Sequence, residues 1–335
     1  MSKSLKRTII IAVCAVLIIG IIVFDFVSGS KTVSESYIAM GTLTSTSLKG
    51  KNSGIASQEI KENIEGIESS CLSWRIDGSD VNRINSSAGK FVSVSVDTAD
   101  WISQCIDLCD KSGGAFDITV GKLTRLWDFD SGNNTVPEED KIKESVDSAD
   151  YTSVFFNETA VKIGNDQLLD LGAVGKGIAC DSAFEILENN KIKSAVVSVG
   201  GSILAYGKDT KVGIANPDND KDYIGILNVK NKFISTSGDY ERYFEKDGKI
   251  YHHILNPDTG YPAENDLRSV TVIADSGLHS DALSTACFVL GYKSALGLLK
   301  QYNAQAVFIF KDKTVEVTDG IQDSFKITDN SFTVK

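Results

Sequence analysis

The amino-acid sequence predicts an α+β fold: a mixed, mainly antiparallel sheet with packed helices, preceded by an N-terminal transmembrane or signal segment. Three observations carry that expectation. Strands and helices are mixed along the chain, and most strand-like runs are joined by hairpin signals, which argues for an antiparallel sheet. Asp247–Gly248 inside "YFEKDGKIYHHIL" is a two-residue link of the kind that closes a tight hairpin. No repeat, low-complexity tract or proline-rich linker divides residues 31 to 335, so residues 30–335 read as one domain.

Taken in order, residues 1–29 are a different material from the rest. Lys3, Lys6 and Arg7 precede "TIIIAVCAVLIIGIIVF", a positive region followed by an apolar run. The uninterrupted part, Ile9 to Phe24, is shorter than the roughly 20 residues of an ideal span, and extension to Thr8 and Val27 makes a single span acceptable. Basic residues ahead of the run predict a cytoplasmic N-terminus and an exported body. The segment therefore reads as a signal anchor or signal peptide at the cell membrane. "VSG" before Ser30 offers a cleavage site, and the anchored form is favoured over the secreted one.

Further on, "KTVSESYIAMGTLTSTSLKG" alternates like a strand and residues 56–70 read as a helix. "FVSVSV" predicts a strand. "DTADWISQCIDLCDKSGG" predicts a helix capped by Asp97 or Thr98 and stopped by Gly113–Gly114. Residues 168–190 read as a strand, a glycine-rich turn and a helix. "AVVSVGGSILAYG" is a buried strand with a glycine break, and "KVGIANP" is another strand. "SVTVIA" runs into a helix over residues 279–291, and "NAQAVFIFKDKTVEVTDG" closes the chain as a second hairpin.

Composition narrows the function. Of 335 residues, 42% are hydrophobic and 24% charged, ordinary globular values. The net charge is −11, and −13 without the first 29 residues, so the body has no basic footprint for nucleic acid or anionic lipid. A phosphate-bearing ligand would need a cation or backbone amides to be held. Six cysteines, at 14, 71, 105, 109, 180 and 287, form no C-x-x-C pair and no zinc spacing, and read as mostly buried apolar thiols.

Three segments could carry chemistry. In "HSDALSTACFVLG", residues 279–291, Asp281 and Thr285 stand four apart and share a helical face. Capping by Ser280 or Asp281 would explain the aspartate and leave the threonine unexplained. In "LLDLGAVGKGIACDSAFEILENN", the spacing of Gly172, Gly175 and Gly177 fits neither the dinucleotide fingerprint nor a P-loop. The turn is either a tight strand-to-helix connection or a phosphate contact made by Lys176 and the turn amides, with Asp170 at the strand end. In residues 235–262, His252 and His253 on a strand face opposite sides, so one can be structural and the other can serve as a general base.

In order, "AMGT" (39–42), "SDVNRIN" (79–85), "GGAFDITVGKLTRLW" (113–127), "LDLGAVGKG" (169–177), "VSVGGSILAYG" (197–207), "STSGDYERYF" (235–244), "HHILNPDTGYP" (252–262) and "SDALSTACFVLG" (280–291) resemble the FAD:protein FMN transferase family, the ApbE family. The resemblance runs over roughly residues 37 to 300. It implies an ApbE-like α+β catalytic domain that transfers FMN from FAD to a Ser or Thr hydroxyl of an exported protein and releases AMP. It further implies Asp281 and Thr285 as oxygen ligands to Mg²⁺, completed by the backbone carbonyl of Ala173, a donor set that suits a hard cation. Met40, Trp74, Ala115, Phe116, Asp117, Asp170, Lys176 and Leu255 fall on flavin- or FAD-contacting positions, and Gly78 adds a residue to the loop after Trp74. His253 falls on the family histidine, the expected base, and Asp281 is implied as catalytic through the metal it holds. Asn256 stands where many relatives have Asp. The implied partner is an exported redox protein with a D-x-x-[ST]-G-A-[ST]-like acceptor motif. Sequence alone leaves open a Mg-dependent FAD pyrophosphatase, splitting FAD to FMN and AMP, and a non-catalytic flavin binder.

Overall fold

The computed structural model describes residues 32–132 and 134–335; the expectation for residues 1–29 lies outside them. Among the described residues no helix is long and apolar enough to cross a membrane. In chain order the elements are β1 (Thr32–Ala39), β2 (Thr42–Lys49), α1 (Ser53–Ile67, prolonged by a π-helical turn Glu68–Leu72), α2 (Asp80–Ser86), β3 (Val92–Ser93), α3 (Val96–Lys111), α4 (Gly121–Trp127) and α5 (Glu139–Asp147). They continue with β4 (Phe155–Asn157), β5 (Ala160–Lys162), α6 (Gly175–Asn189), β6 (Ser194–Val199), β7 (Ser202–Tyr206), β8 (Thr210–Asn216), β9 (Asn219–Val229), β10 (Lys232–Gly238), β11 (Tyr243–Lys246) and β12 (Lys249–His252). The last are β13 (Leu267–Ala274), α7 (Gly277–Leu290), α8 (Tyr292–Gln301), β14 (Gln305–Phe310), β15 (Thr314–Val317), β16 (Phe325–Ile327) and β17 (Thr333–Val334).

A nine-stranded sheet in the order β1-β2-β6-β7-β10-β13-β14-β15-β17 forms the frame, antiparallel at every pair but β15–β17. This is the mixed, mainly antiparallel α+β architecture the sequence predicts. Alternation along the strands sends side chains to two cores. On β13, Val270, Val272 and Ala274 join Leu278, Ala282 and Leu283 of α7 and Ile102 and Leu108 of α3 in the largest apolar cluster. Ile273 points the other way, into a cluster with Val212, Ile214 and Leu227 of the small sheet β16-β9-β8. Under β2 and β6, Leu48 and Val197 pack with Ile60 of α1 and Ala183 of α6.

Several local expectations are corrected. "FVSVSV" contributes only Val92–Ser93 as strand, because the Ser95 hydroxyl accepts from the Thr98 amide at 3.1 Å and starts α3 there, so neither Asp97 nor Thr98 is the cap. The glycine break in "AVVSVGGSILAYG" is a reversal: β6 and β7 pair antiparallel with Val199 opposite Ser202. Ser276, not Ser280 or Asp281, caps α7, accepting from the His279 amide. Asp281 therefore lies beyond the cap, inside the helix. The Asp247–Gly248 hairpin and the C-terminal β14–β15 hairpin form as expected.

Candidate active site

The site is assembled from segments far apart in the chain. β1 and β2 are joined by Met40 and Gly41 at φ 51° and 68°, so both central residues are left-handed, as a type I′ hairpin requires. Methionine in that conformation is strained and needs support from its surroundings. Part of the support is the Met40 amide, which donates to Glu68 Oε2 at 2.7 Å, and the half-buried side chain packs between two apolar clusters.

The "SDVNRIN" motif is architectural. Ser79 accepts from the Asn82 amide at 3.0 Å and caps α2, while Asn82 Nδ2 donates to the Trp74 carbonyl at 3.1 Å and shapes the loop that carries that ring. Asn85 brackets Leu169, donating to its carbonyl at 2.9 Å and accepting from its amide at 2.7 Å. The next residue, Asp170, donates its own amide to the Ile118 carbonyl at 2.8 Å, which joins the glycine-rich turn to the "GGAFD" segment. Asp170 Oδ1 accepts from Gly172 N at 2.8 Å and shapes the turn in which half-buried Ala173 sits. Asp117 accepts from both the amide and the hydroxyl of Thr119, and burial holds its carboxyl above the usual range. Ala115 is half-buried beside it, whereas the Phe116 side chain is only 3% exposed and belongs to the main core. Contact with a ligand at Phe116 is thus left to its main chain. Trp74 is half-buried, with the guanidiniums of Arg75 and Arg125 at 4.1 and 4.3 Å from its ring centroid.

Helices α6 and α7 bring the charged groups together. Asp281 is 3% exposed; one carboxylate oxygen accepts from Gly177 N at 2.9 Å and the other lies 3.3 Å from Lys176 Nζ. Thr285, one turn further along α7, reaches Ser237 Oγ at 3.3 Å. The small residues of α7 explain its close seat on β10: Ser280 pairs with Ser235 at 2.9 Å and Ser284 with Ser237 at 2.8 Å. The first turn of α6 and the Lys176 ammonium thus converge on one buried carboxylate inside an otherwise anionic body.

The two histidines divide as their alternation predicts. His252 is buried edge-on against Phe288, its Nε2 3.1 Å from the Ala263 carbonyl, and burial lowers its pKa to about 4. His253 faces the charged cluster. Burial first, then the cations Arg242 and Lys176 with His252 between them, hold its imidazole well below the ordinary range, so it is neutral near pH 7. Its Nδ1 is buried without a partner, and Asn256 closes the "NPDTG" turn on its own amides. Leu255 bridges to Pro262 and packs on the cluster of Leu123, Trp127 and Phe244. Trp127, Phe129, Phe244, Tyr251 and Tyr261 form one aromatic stack that docks the β11–β12 hairpin. The Trp127 indole seals it by donating to the Gly260 carbonyl at 2.8 Å.

The structure thus gathers Asp281, Thr285, Lys176 and His253 and ties Asp170, Ala173 and Asp117 into one connected turn system. Glu68, Asn85, Ser237 and Asp181, which hold these groups, carry no signal in the sequence beyond their places in or near the motifs. Among the described residues no cluster of three His, Cys, Asp or Glu side chains could hold a metal, so a cation here depends on hydroxyl and carbonyl donors as well. All the described cysteines are free, and burial raises the thiols of Cys105, Cys109, Cys180 and Cys287, which makes them inert.

A buried carboxylate, an ammonium, hydroxyls and a neutral imidazole gathered on this scaffold mark the protein as an enzyme. The chain matches the ApbE family over residues 40–309, and it belongs to that family, the flavin transferases. It is 34% identical over 290 residues to a FAD:protein FMN transferase of Treponema pallidum, covering 79% of this chain and 80% of the relative. A crystal structure of the ApbE protein from Thermotoga maritima superposes with a TM-score of 0.80 at 32% identity, covering 87% of this chain and 98% of that one. The apo flavinyl transferase ApbE of Pseudomonas stutzeri superposes at 0.79 with 25% identity over 90% of this chain and 98% of its own.

Proposed function

We propose that the protein transfers FMN from FAD to a serine or threonine hydroxyl of an exported redox protein and releases AMP, in a magnesium-dependent reaction. The observation that carries this reading is Asp281: a buried carboxylate beyond its own helix cap, aimed at the N-terminus of a second helix and at Lys176. Asp281, Thr285 and the Ala173 carbonyl are hard oxygen donors, few in number, which fits Mg²⁺ completed by substrate phosphate and water. Magnesium bound there would polarise the pyrophosphate and stabilise charge on the departing AMP.

The chain's own residues do the rest. Lys176 and the first-turn amides of α6 bind the pyrophosphate. Met40, Trp74, Ala115, Phe116, Asp117, Asp170 and Leu255 line the flavin side. The acceptor oxygen attacks the FMN phosphorus, the bond from that phosphorus to the oxygen of the AMP phosphate breaks, and AMP leaves with that oxygen. His253, neutral in the free protein, takes the hydroxyl proton and passes it to solvent. An anionic pyrophosphate offsets the Arg242 and Lys176 charges that depress its basicity, so the base strengthens when substrate is bound. Residues 1–29 would hold the domain at the extracytoplasmic face of the membrane, within reach of a D-x-x-[ST]-G-A-[ST]-like acceptor.

The test incubates residues 31–335, FAD and Mg²⁺ with and without a protein bearing that motif, reading in-gel flavin fluorescence and AMP. Fluorescence on the acceptor that is lost with EDTA and with Asp281→Ala is the expected result. Equal AMP release without acceptor, and no labelled protein, would replace transfer by hydrolysis. No AMP and no label would leave a flavin binder.

A further inference from the structure

Helices α6 and α7 meet through the same short pattern. Gly177 and Asp181 lie four apart on one face of α6, and Gly277 and Asp281 lie four apart on one face of α7. A Cβ on Gly177 would stand 2.1 Å from the Gly277 carbonyl oxygen, and one on Gly277 would stand 2.2 Å from the Gly177 carbonyl oxygen, so the two backbones touch. Across this contact the carboxylates are exchanged. Asp281 accepts from Gly177 N at 2.9 Å on α6. Asp181 accepts from Gly277 N at 2.6 Å through one oxygen and from Leu278 N at 2.7 Å through the other, with Ser276 Oγ at 3.2 Å from the latter. Each aspartate satisfies the first turn of the other helix, where orphan amides and the positive end of the dipole need an anion.

The two carboxylates differ in what they leave free. Asp281 spends one oxygen on α6 and turns the other toward Lys176. Asp181 commits both oxygens to α7.

We infer that Asp181 is a positioning residue for the cation and pyrophosphate site. By clamping the first turn of α7 onto α6 it fixes the rotation and depth at which Asp281 and Thr285 face Lys176 and the glycine-rich turn. This rests on the assignment of Asp281 and Thr285 as cation ligands. Without the carboxylate, the amides of Gly277 and Leu278, both buried, lose their acceptors, and α7 can regain them only by rotating or shifting. Four residues along a helix is about 6 Å, so a small rotation at Gly277 is carried directly to Asp281. Partners that orient metal ligands without touching the metal are worth roughly 10- to 100-fold in metal affinity.

The experiment measures Mn²⁺ binding, as a spectroscopic stand-in for Mg²⁺, to the purified protein with saturating FAD, by electron paramagnetic resonance, beside thermal unfolding. Asp181→Asn is expected to weaken Mn²⁺ binding about tenfold and to raise the Mg²⁺ concentration for half-maximal AMP release by the same factor. The rate at saturating Mg²⁺ should change less than about threefold. Ser276→Ala, which removes one of the contacts to Asp181, serves if Asp181→Asn does not fold, and a weakening of about threefold is expected. Leu298→Ala in α8, buried in the core, is the matched control for lost stability with unchanged affinity. A folded Asp181→Asn and a folded Ser276→Ala that both bind Mn²⁺ as the native protein does, while Asp281→Ala loses it, would overturn the inference alone. Native-like Mn²⁺ binding by Asp281→Ala would instead overturn the ligand assignment on which it rests.

Discussion

Gly177→Ala is the sharpest perturbation the fold offers, because one methyl group meets backbone rather than a movable side chain. Its Cβ would lie 2.1 Å from the Gly277 carbonyl oxygen, 2.5 Å from the Gly277 carbonyl carbon and 2.8 Å from the Asp281 Cβ. Ordinary contact begins near 3.4 Å, so α6 and α7 must separate by more than 1 Å. Overpacking of this kind costs about 1–3 kcal/mol. The separation also stretches the bond from Gly177 N to the buried Asp281 carboxylate, and a hydrogen bond to a charged group is worth about 1.5–3 kcal/mol. The better helix propensity of alanine returns less than about 1 kcal/mol. A net destabilisation of about 2–5 kcal/mol follows, which for a domain of this size lowers the melting temperature by roughly 3–8 °C. Differential scanning calorimetry measures it directly. Gly277→Ala should cost a similar amount, and the double variant should cost clearly less than both together, since helices already forced apart accommodate the second methyl. A Gly177→Ala protein melting within 1 °C of the native one, or a fully additive double variant, would refute the backbone-contact argument.

Other consequences can be measured independently. His252 is neutral in the fold down to about pH 4, whereas an unfolded histidine takes its proton near 6.5. Its contribution is therefore present above pH 6.5 and is lost as pH falls toward 4; native stability should drop about 2 kcal/mol more between pH 7 and 5 than that of His252→Gln, and parallel curves would contradict this. Trp127→Ala removes the centre of the aromatic stack and should cost about 3–5 kcal/mol, with hydrogen exchange rising first in the β11–β12 hairpin that precedes His253. His253→Asn should keep the melting temperature within about 2 °C and lower flavin transfer by roughly 100-fold or more, and near-native transfer would exclude it as the base. Asn85→Ala releases the carbonyl and amide of Leu169 and should weaken FAD binding through Asp170 without touching the ligand, read as quenching of flavin fluorescence.

Much of the frame was legible because it is local. The Asp247–Gly248 hairpin, the stop of α3 at Gly113–Gly114 and the apolar run of α7 depend on residues a few positions apart. What was missed depends on contacts across the chain or on a single side chain. "FVSVSV" alternates as a strand should, yet the Ser95 hydroxyl turns the chain into a helix. β9 begins in polar residues and pairs with β8 and β16, so its pattern is set by a second sheet rather than by the main core. In the site, Asp281 and Thr285 were visible because four-residue spacing is a local signal. Asp181, 96 residues from the amide it satisfies at Gly277, was not, and Asn85 holds Leu169 across 84 residues. Trp127 and Phe129 serve as a hairpin clasp, which depends on Phe244 more than a hundred residues further along the chain.

The exchange of caps between α6 and α7 also sets a clock. A growing chain exposes the glycine-rich turn and Lys176 long before Gly277 and Asp281 exist, so the first turn of α6 lacks its Asp281 partner for about a hundred residues of synthesis. Two of the hydroxyl pairs that seat α7 likewise wait for residues 280 and 284 to reach β10. Every shorter intermediate therefore lacks the carboxylate that satisfies the first turn of α6, and that turn is completed only in a late step. A product truncated before residue 277 lacks one side of both exchanged contacts, Gly277 as well as Asp281.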